Sequence, residues 1–443
     1  MKKTTILLIS LLLSAAGDAF SQIPLSLKAR HRTDGDTITL TSVLRNRGLL
    51  SVRTSPDPVT GKSGNILLDD LRYYEIIPEN LESLWQMIIL RSPVYDNLLK
   101  SGYSYETRSA MEDLMKEYLA RAEQNNSFYI DSYLEARLYA ILRKVYPVRN
   151  TDRRPGILSL RILSEIAPDA WVGPDGTLVI TTGLIAALDN ETEMMALMAQ
   201  EVAHFALDHH LSNYTSTVTS GINPALGNII RYTGQEERVA DNCAISVLSY
   251  YGKNFSFLGS MLRNVMDYGE LMGSFYLGSF PNAKSRVDNY QGTITDKSAD
   301  YDKLVAPVIS YNAFMAYNQS HYLLCRRLLE RNIASGTATA DDIVLLSQAM
   351  MNLSGSDHED LEALVLVRSV TDSLQEPPPG AFKQEALLLL RLGRRDEAET
   401  ALDRCREALE SEEMKYSSKS GDWSEMLSYL ASEKDWVART RAR

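Results

Sequence analysis

The chain has 443 residues, 44% of them apolar and 23% charged, with a formal net charge of −11. That length allows two or three domains, each with a real core. An acidic chain with no basic block lacks the clustered Lys and Arg that nucleic-acid phosphates demand, which excludes nucleic acid as a partner. The three cysteines, Cys243, Cys325 and Cys405, lie far apart at no metal-binding spacing; they read as small buried apolar residues, with one disulfide open to them in an oxidising compartment.

In chain order, Lys2 and Lys3 precede an apolar run from Ile6 to Ala16, and Ala19 and Ser21 flank Phe20. This is the pattern of a secretory signal peptide cut before Gln22, so residues 1–21 are set apart from the fold. Losing them removes two lysines and one aspartate and takes the charge from −11 to −12. No later stretch has the length of a membrane helix, so the expected product is exported and soluble, most simply in a bacterial periplasm. Residues 22–70 are weakly patterned and are expected to be irregular or β. Within them Thr37–Val43 alternates like a short strand, and Thr54–Gly64, with Pro56, Pro58, Gly61 and Gly64, reads as a loop.

From about Leu71 to Tyr146 the spacing turns helical. Leu81, Leu84, Trp85 and Ile88 recur on one face, as do Met111, Leu114, Met115, Tyr118 and Leu119, and then Leu134, Leu138, Ile141 and Leu142. Ile157–Leu163 reads as a strand, and Ala170–Val172 and Thr177–Thr181 flank the turn Gly173-Pro-Asp-Gly176 as a hairpin. The hairpin leads into Asn190–Leu211, NETEMMALMAQEVAHFALDHHL. Asn190 caps this helix, with Glu193 three residues on to complete a reciprocal cap. From Met194 to Leu207 only Gln200, Glu201 and His204 are polar, so this is a buried helix with three polar side chains on one face. Each would cost roughly 1–3 kcal/mol if buried without a partner, which calls for a metal or a hydrogen-bond network from another helix.

Ser212–Thr233 reads as loose, and a second helix is expected from about Gln235 to Tyr251, stopped by Gly252. Glu237 and Asp241 stand one turn apart on its apolar side, along with Ala240, Ala244 and Leu248. The last part, from about residue 301 to 443, is helical; Phe382, Ala386, Leu389, Gly393, Ala398 and Leu402 fall near the spacing of a tetratricopeptide repeat, a spacing that a plain helical hairpin also gives.

Taken together, Gly176–Leu184, Glu193, Gln200-Glu-Val-Ala-His204 with His209, and Glu237-Arg-Val-Ala-Asp241 resemble the core of the M48 zinc metallopeptidases over roughly residues 125–290. The resemblance implies a mainly α fold with a small β-sheet: a zincin-like metallopeptidase domain over residues 71–300, followed by a helical repeat region over 301–443. In an H-E-x-x-H helix the two imidazoles share a face and bind zinc, and the glutamate between them serves as general base. Carried over by position, His204 is the second ligand, Glu237 the third, Glu201 the base, and Asp241 the residue that supports the site from behind the ligands. The strand Thr177–Thr181 would be the edge along which an extended substrate lies.

Two positions depart from the pattern. The first ligand position holds Gln200, whose neutral amide oxygen binds zinc weakly; it could face the metal while its amide N–H2 donates to Asp241. Where the family often has Ser-His-Pro before an Arg, this chain has Ser279-Phe280-Pro281 before Arg286. Phe280 has no ligand chemistry, whereas Arg286 could stabilise an oxyanion. A core histidine bonded to Glu237 without metal is the plain alternative for His204; His209 and His210 read as surface residues at the helix end, although His209 matches a family position. His31, His321 and His358 lack partners at motif spacing. The resemblance thus implies an exported, Zn2+-dependent endopeptidase acting on protein or peptide clients in envelope quality control. The alternative is a non-catalytic pseudoprotease scaffold that binds partners through its C-terminal helices.

Overall fold

The computed structural model describes residues 22–46, 48–92, 94, 103–147, 159–273, 283–290, 298–419 and 421–442. The expected signal segment and Ser279-Phe280-Pro281 lie outside these residues. The fold is mainly α, with two separate sheets.

The segment expected to be irregular or β is a five-stranded antiparallel sheet. Its strands are β1 (Gln22–His31), β2 (Thr37–Asn46), β3 (Leu49–Thr54), β4 (Asn65–Leu67) and β5 (Tyr74–Ile77), in the order β4-β3-β2-β1-β5. The alternation at Thr37–Val43 falls inside β2, and the Pro- and Gly-rich stretch is the β3–β4 connection. In β1 the residues Ile23, Leu25, Leu27 and Ala29 face inward and their neighbours face out. This inner face packs with Leu90 of helix α1 (Leu81–Leu90) into its own small core.

Helix α2 (Tyr103–Gln124) and α3 (Ser132–Val145) follow, then β6 (Ser159–Leu163), β7 (Ala170–Val172) and β8 (Thr177–Thr181). The second sheet has the order β6-β8-β7, with β6 parallel and β7 antiparallel to β8. The strand expected at the edge is therefore the central one, paired on both sides; the edge beside the hairpin belongs to β7. All five residues of β8 are buried, because both faces of the sheet are covered. Leu178 and Ile180 join the main core, while Val179, Trp171 and Leu163 pack with Met115 and Ala122 of α2 on the other face.

Helix α4 (Thr182–Ala187) turns directly off β8, with the Thr181 hydroxyl capping Leu184. The turn needs Gly183, since a Cβ there would meet the Ile166 carbonyl oxygen at 2.0 Å. Helix α5 (Glu191–Ala206) is the buried helix at the centre of the main core; every residue from Glu193 to Ala206 is buried. Asn190 caps it by accepting from Glu193 N. The reciprocal half of that cap is displaced by one residue: the Glu193 carboxylate accepts from Asp189 N at 2.8 Å and from Asn264 Nδ2 at 3.0 Å.

Ser212–Thr233, expected to be loose, begins inside a helix, α6 (His209–Thr219), and holds a short α7 (Leu226–Ile229). Then come α8 (Gly234–Tyr250), α9 (Ser256–Leu271) and α10 (Ala283–Asn289). The C-terminal part comprises α11 (Ala299–Asn318), α12 (Tyr322–Ala334), α13 (Ala340–Leu353), α14 (Asp357–Thr371), α15 (Pro379–Arg391), α16 (Arg395–Ser417) and α17 (Ser424–Arg441). Consecutive members pack on one another through short connections. Phe382, Ala386, Leu389, Ala398 and Leu402 all lie in the core of this region, and Gly393 supplies the positive φ between α15 and α16.

Residue 300 is not where the core changes. Tyr301, Val305, Val308 and Ile309 of α11 and Leu324 and Leu328 of α12 belong to the same core as α5. Arg331 of α12 donates to the Ala186 and Leu188 carbonyls and pairs with Asp302, fastening the first C-terminal hairpin to the end of α4. A second core, from Val344 to Val437, holds the remaining helices together. No helix among the described residues is long and apolar enough to cross a membrane. Cys243, Cys325 and Cys405 are all free and buried.

Candidate metal centre

Gln200, Glu201 and His204 project from the middle of α5, and α8 packs beside it, bringing Glu237 and Asp241 to the same place. Gln200 Nε2 donates to Glu237 Oε2 at 3.0 Å, and His204 Nε2 lies 3.8 Å from Glu237 Oε1. The glutamine, the histidine and the acid therefore do share one buried point. The amide of Gln200 turns to Glu237 rather than to Asp241, the partner suggested by the sequence.

Asp241 is held instead by Arg286 of α10, whose Nε and Nη2 reach its two oxygens at 3.0 and 2.5 Å, and by the Tyr290 hydroxyl at 2.8 Å. The Nη1 of Arg286 is also 2.9 Å from Glu237 Oε2. A guanidinium 3% exposed and shared between two carboxylates is spent on holding Glu237 and Asp241 in place. The structure thus differs from the oxyanion role read from the sequence for Arg286: its side chain is committed behind the site.

His204 is flanked by one group from the following turn and one from the turn before α8. Its Nδ1 is 2.9 Å from His209 Nδ1, and the Tyr232 ring stacks on it with centroids 3.6 Å apart. Tyr232 Oη and the Val172 carbonyl of β7 both lie within hydrogen-bond distance of His210 Nε2, at 2.8 and 2.7 Å. His210 is buried and His209 half-buried, so neither is the surface residue expected. Their contacts link α6 to His204 and to the sheet edge.

Burial sets the electrostatics. It holds the Glu201 carboxyl well above the usual carboxylate range, and the neighbouring Glu237 adds to the rise. It pushes Glu237 up to about 7 against the downward pull of Arg286. It keeps the His204 imidazole neutral far below its ordinary range. On Gln200, Glu201, His204 and Glu237 four buried polar atoms have no hydrogen-bond partner, Gln200 Oε1, Glu201 Oε2, His204 Nε2 and Glu237 Oε1, and Arg286 Nη1 makes only its ion-pair contact with Glu237. The first four belong to the three residues read as ligands and the one read as base. Unmet buried acceptors are rare and costly. One divalent cation would satisfy several at once and offset the charge of buried carboxylates, so the residues present fit a cation. Among the described residues no three His, Cys, Asp or Glu side chains form a metal-holding group; the third donor here is an amide, and the set is correspondingly weak.

A buried helix bearing E-x-x-H, an acid from a neighbouring helix beside its histidine and a small sheet alongside are the elements from which a metallopeptidase-type centre is built. Residues 134–227 match the model of peptidase family M48, so this stretch is an M48 peptidase domain. The match runs from α3 into α7 and takes in Gln200, Glu201 and His204; Glu237, Asp241 and Arg286 lie beyond its end. M48 peptidases are generally zinc-dependent. Comparison with curated proteins finds no match.

Sequence reasoning missed Tyr232, whose stacking on His204 depends on the turn before α8, and Arg108, one hundred residues upstream of its partner Asp208. It singled out Glu193 as a cap and as one residue of the family resemblance, but not for its charge. Burial pushes the Glu193 carboxyl from 4.5 to about 7. The folded state therefore binds its proton more tightly than the unfolded chain, and this contribution to stability is present below pH 4.5 and lost as pH rises to about 7. Glu193→Gln should remove a pH-dependent loss of about 3 kcal/mol over that window. Urea midpoints of parent and variant at pH 5 and pH 8 check it: the two proteins should differ more at pH 8, with the variant ahead, and an unchanged difference would contradict it.

Proposed function

We propose that the chain is a zinc-dependent endopeptidase with a weakened metal set: His204, Glu237 and the amide oxygen of Gln200, with Glu201 as general base. The observation that carries this reading is the group of four unpartnered buried atoms on those four residues. Bound there, zinc would supply Lewis acidity and the positive charge that the buried carboxylates lack. The chain's own residues supply the rest. Glu201, with its raised proton affinity, takes a proton from water and returns one to the leaving amine. Arg286 and Tyr290 hold Asp241, and Arg286 also holds Glu237. Asp169 and Gly173, at the two ends of β7, bond to β8, and the Val172 carbonyl at the outer edge of β7 is already met by His210 Nε2.

Glu201→Gln should abolish zinc-dependent cleavage of an unfolded protein while leaving the circular dichroism unchanged. Cleavage persisting in that variant would remove Glu201 from the mechanism.

A second reading has its own support. Gln200 and His204 are 0% exposed and Glu201 and Glu237 1%, with Tyr232 stacked across His204 and Arg286 already meeting the charge of Glu237. A site sealed in this way suits a pseudoprotease that binds partners through α11–α17, helices of the tetratricopeptide type. Both readings place the protein outside the cytoplasm, on the strength of its basic-then-apolar N-terminus, and make unfolded or assembling envelope proteins its clients.

A further inference from the structure

The turn between α5 and α6 is shaped by a residue far from any motif. Asp208 occupies the position before α6 with φ 61° and ψ 34°, a left-handed conformation that a non-glycine residue adopts at a cost. An aspartate at that position ordinarily caps the helix by accepting a backbone N–H. Asp208 makes no such bond. Its carboxylate is taken by Arg108 of α2, with Nη1 donating to Oδ1 at 3.0 Å and Nη2 to Oδ2. The pair is well covered, Arg108 being 16% exposed along its side chain and Asp208 3%.

The left-handed residue ends α5 and starts α6 at His209, which places His209 Nδ1 at 2.9 Å from His204 Nδ1. Only one of those two nitrogens can carry the shared proton. If it rests on His204 Nδ1, the lone pair of His204 is left on Nε2, the atom beside Glu237 that has no partner. A ligand imidazole held by a hydrogen bond to its far nitrogen is fixed in both tautomer and ring orientation.

We propose that Arg108 is a positioning residue for His204. By clamping Asp208 in the left-handed conformation it sets His209, and His209 fixes His204 as the Nδ1–H tautomer with Nε2 turned to the metal. This rests on the zinc reading above for its purpose, though not for its geometry. A bidentate guanidinium suits the role because it grips both carboxylate oxygens at once, which lysine cannot do.

The test uses the full chain, with two readouts: ring 15N correlations of His204, and zinc affinity by competition with a chromogenic chelator. Arg108→Ala should shift His204 from one tautomer to a mixture and weaken zinc binding about 10- to 100-fold. Arg108→Ala combined with Asp208→Gly should recover the tautomer and bring affinity to within about threefold of the parent, because glycine takes the left-handed conformation without a clamp. A role limited to stability would leave the tautomer unmoved in Arg108→Ala, and that result overturns the proposal. It is equally overturned if the folded double variant stays as impaired as the single one. A parent chain that binds no zinc sinks the zinc reading alone, and the ring spectrum still decides the role of Arg108.

Discussion

Replacing Arg286 by methionine should cost about 3–5 kcal/mol of stability, the penalty for leaving buried carboxylates without their cation. Arg286 meets Asp241 through two bonds and Glu237 through a third contact, and all three residues are at most 3% exposed. Methionine fills much of the same volume, so the loss reads the charge rather than a cavity. Removing the orphaned acid as well, in Arg286→Met with Asp241→Asn, should return a large part of it, since the two residues act as one unit. Zinc should stabilise Arg286→Met more than the parent, because a cation bound to Glu237 would meet charge that the arginine no longer meets. Denaturant midpoints of the three proteins with and without zinc give all of these quantities. A loss below about 1 kcal/mol in the single variant, the range of an exposed ion pair, would show that the carboxylates are not held charged by Arg286.

Gln200→His should strengthen zinc binding on the order of a hundredfold, because an imidazole nitrogen replaces a neutral amide oxygen. Positions 200 and 204 are one turn apart on α5 and share its polar face, so the new ring would stand beside His204. The change also removes the donor from Gln200 Nε2 to Glu237 Oε2, which leaves that oxygen with Arg286 as its remaining neighbour. If the chain cleaves protein, the variant should do so at lower free zinc. Chelator competition on both proteins measures the affinity ratio. No gain in affinity would mean that position 200 does not face the metal at all.

Much of the site was legible in the sequence because it depends on local periodicity. Gln200, Glu201 and His204 on α5 and Glu237 and Asp241 on α8 follow from spacing within one helix, and the Asn190 cap of α5 and the turn at Gly176 follow from short-range chemistry. What spacing could not supply is pairing between distant segments. Gln200 chose Glu237 over Asp241, and Arg286 turned inward to two acids, because packing of α10 against α9, and of α8 against α5, sets those distances. The N-terminal sheet had a signal that went unread: Ile23, Leu25, Leu27 and Ala29 alternate without a break along β1. The place of β8 at the centre of its sheet was not encoded in the hairpin itself, since β6 pairs with it across a separate stretch of chain. His209 and His210 look like solvent-facing polar residues in sequence, and only the turn at Asp208 carries them back towards His204 and Val172.

The most direct test is metal content. The purified chain is stripped with a chelator, dialysed against limiting zinc, and measured by elemental analysis alongside His204→Ala. The expected result is close to one zinc per parent chain and almost none in the variant. Zinc absent from the parent, or equally present in both proteins, would contradict a metal centre built on His204.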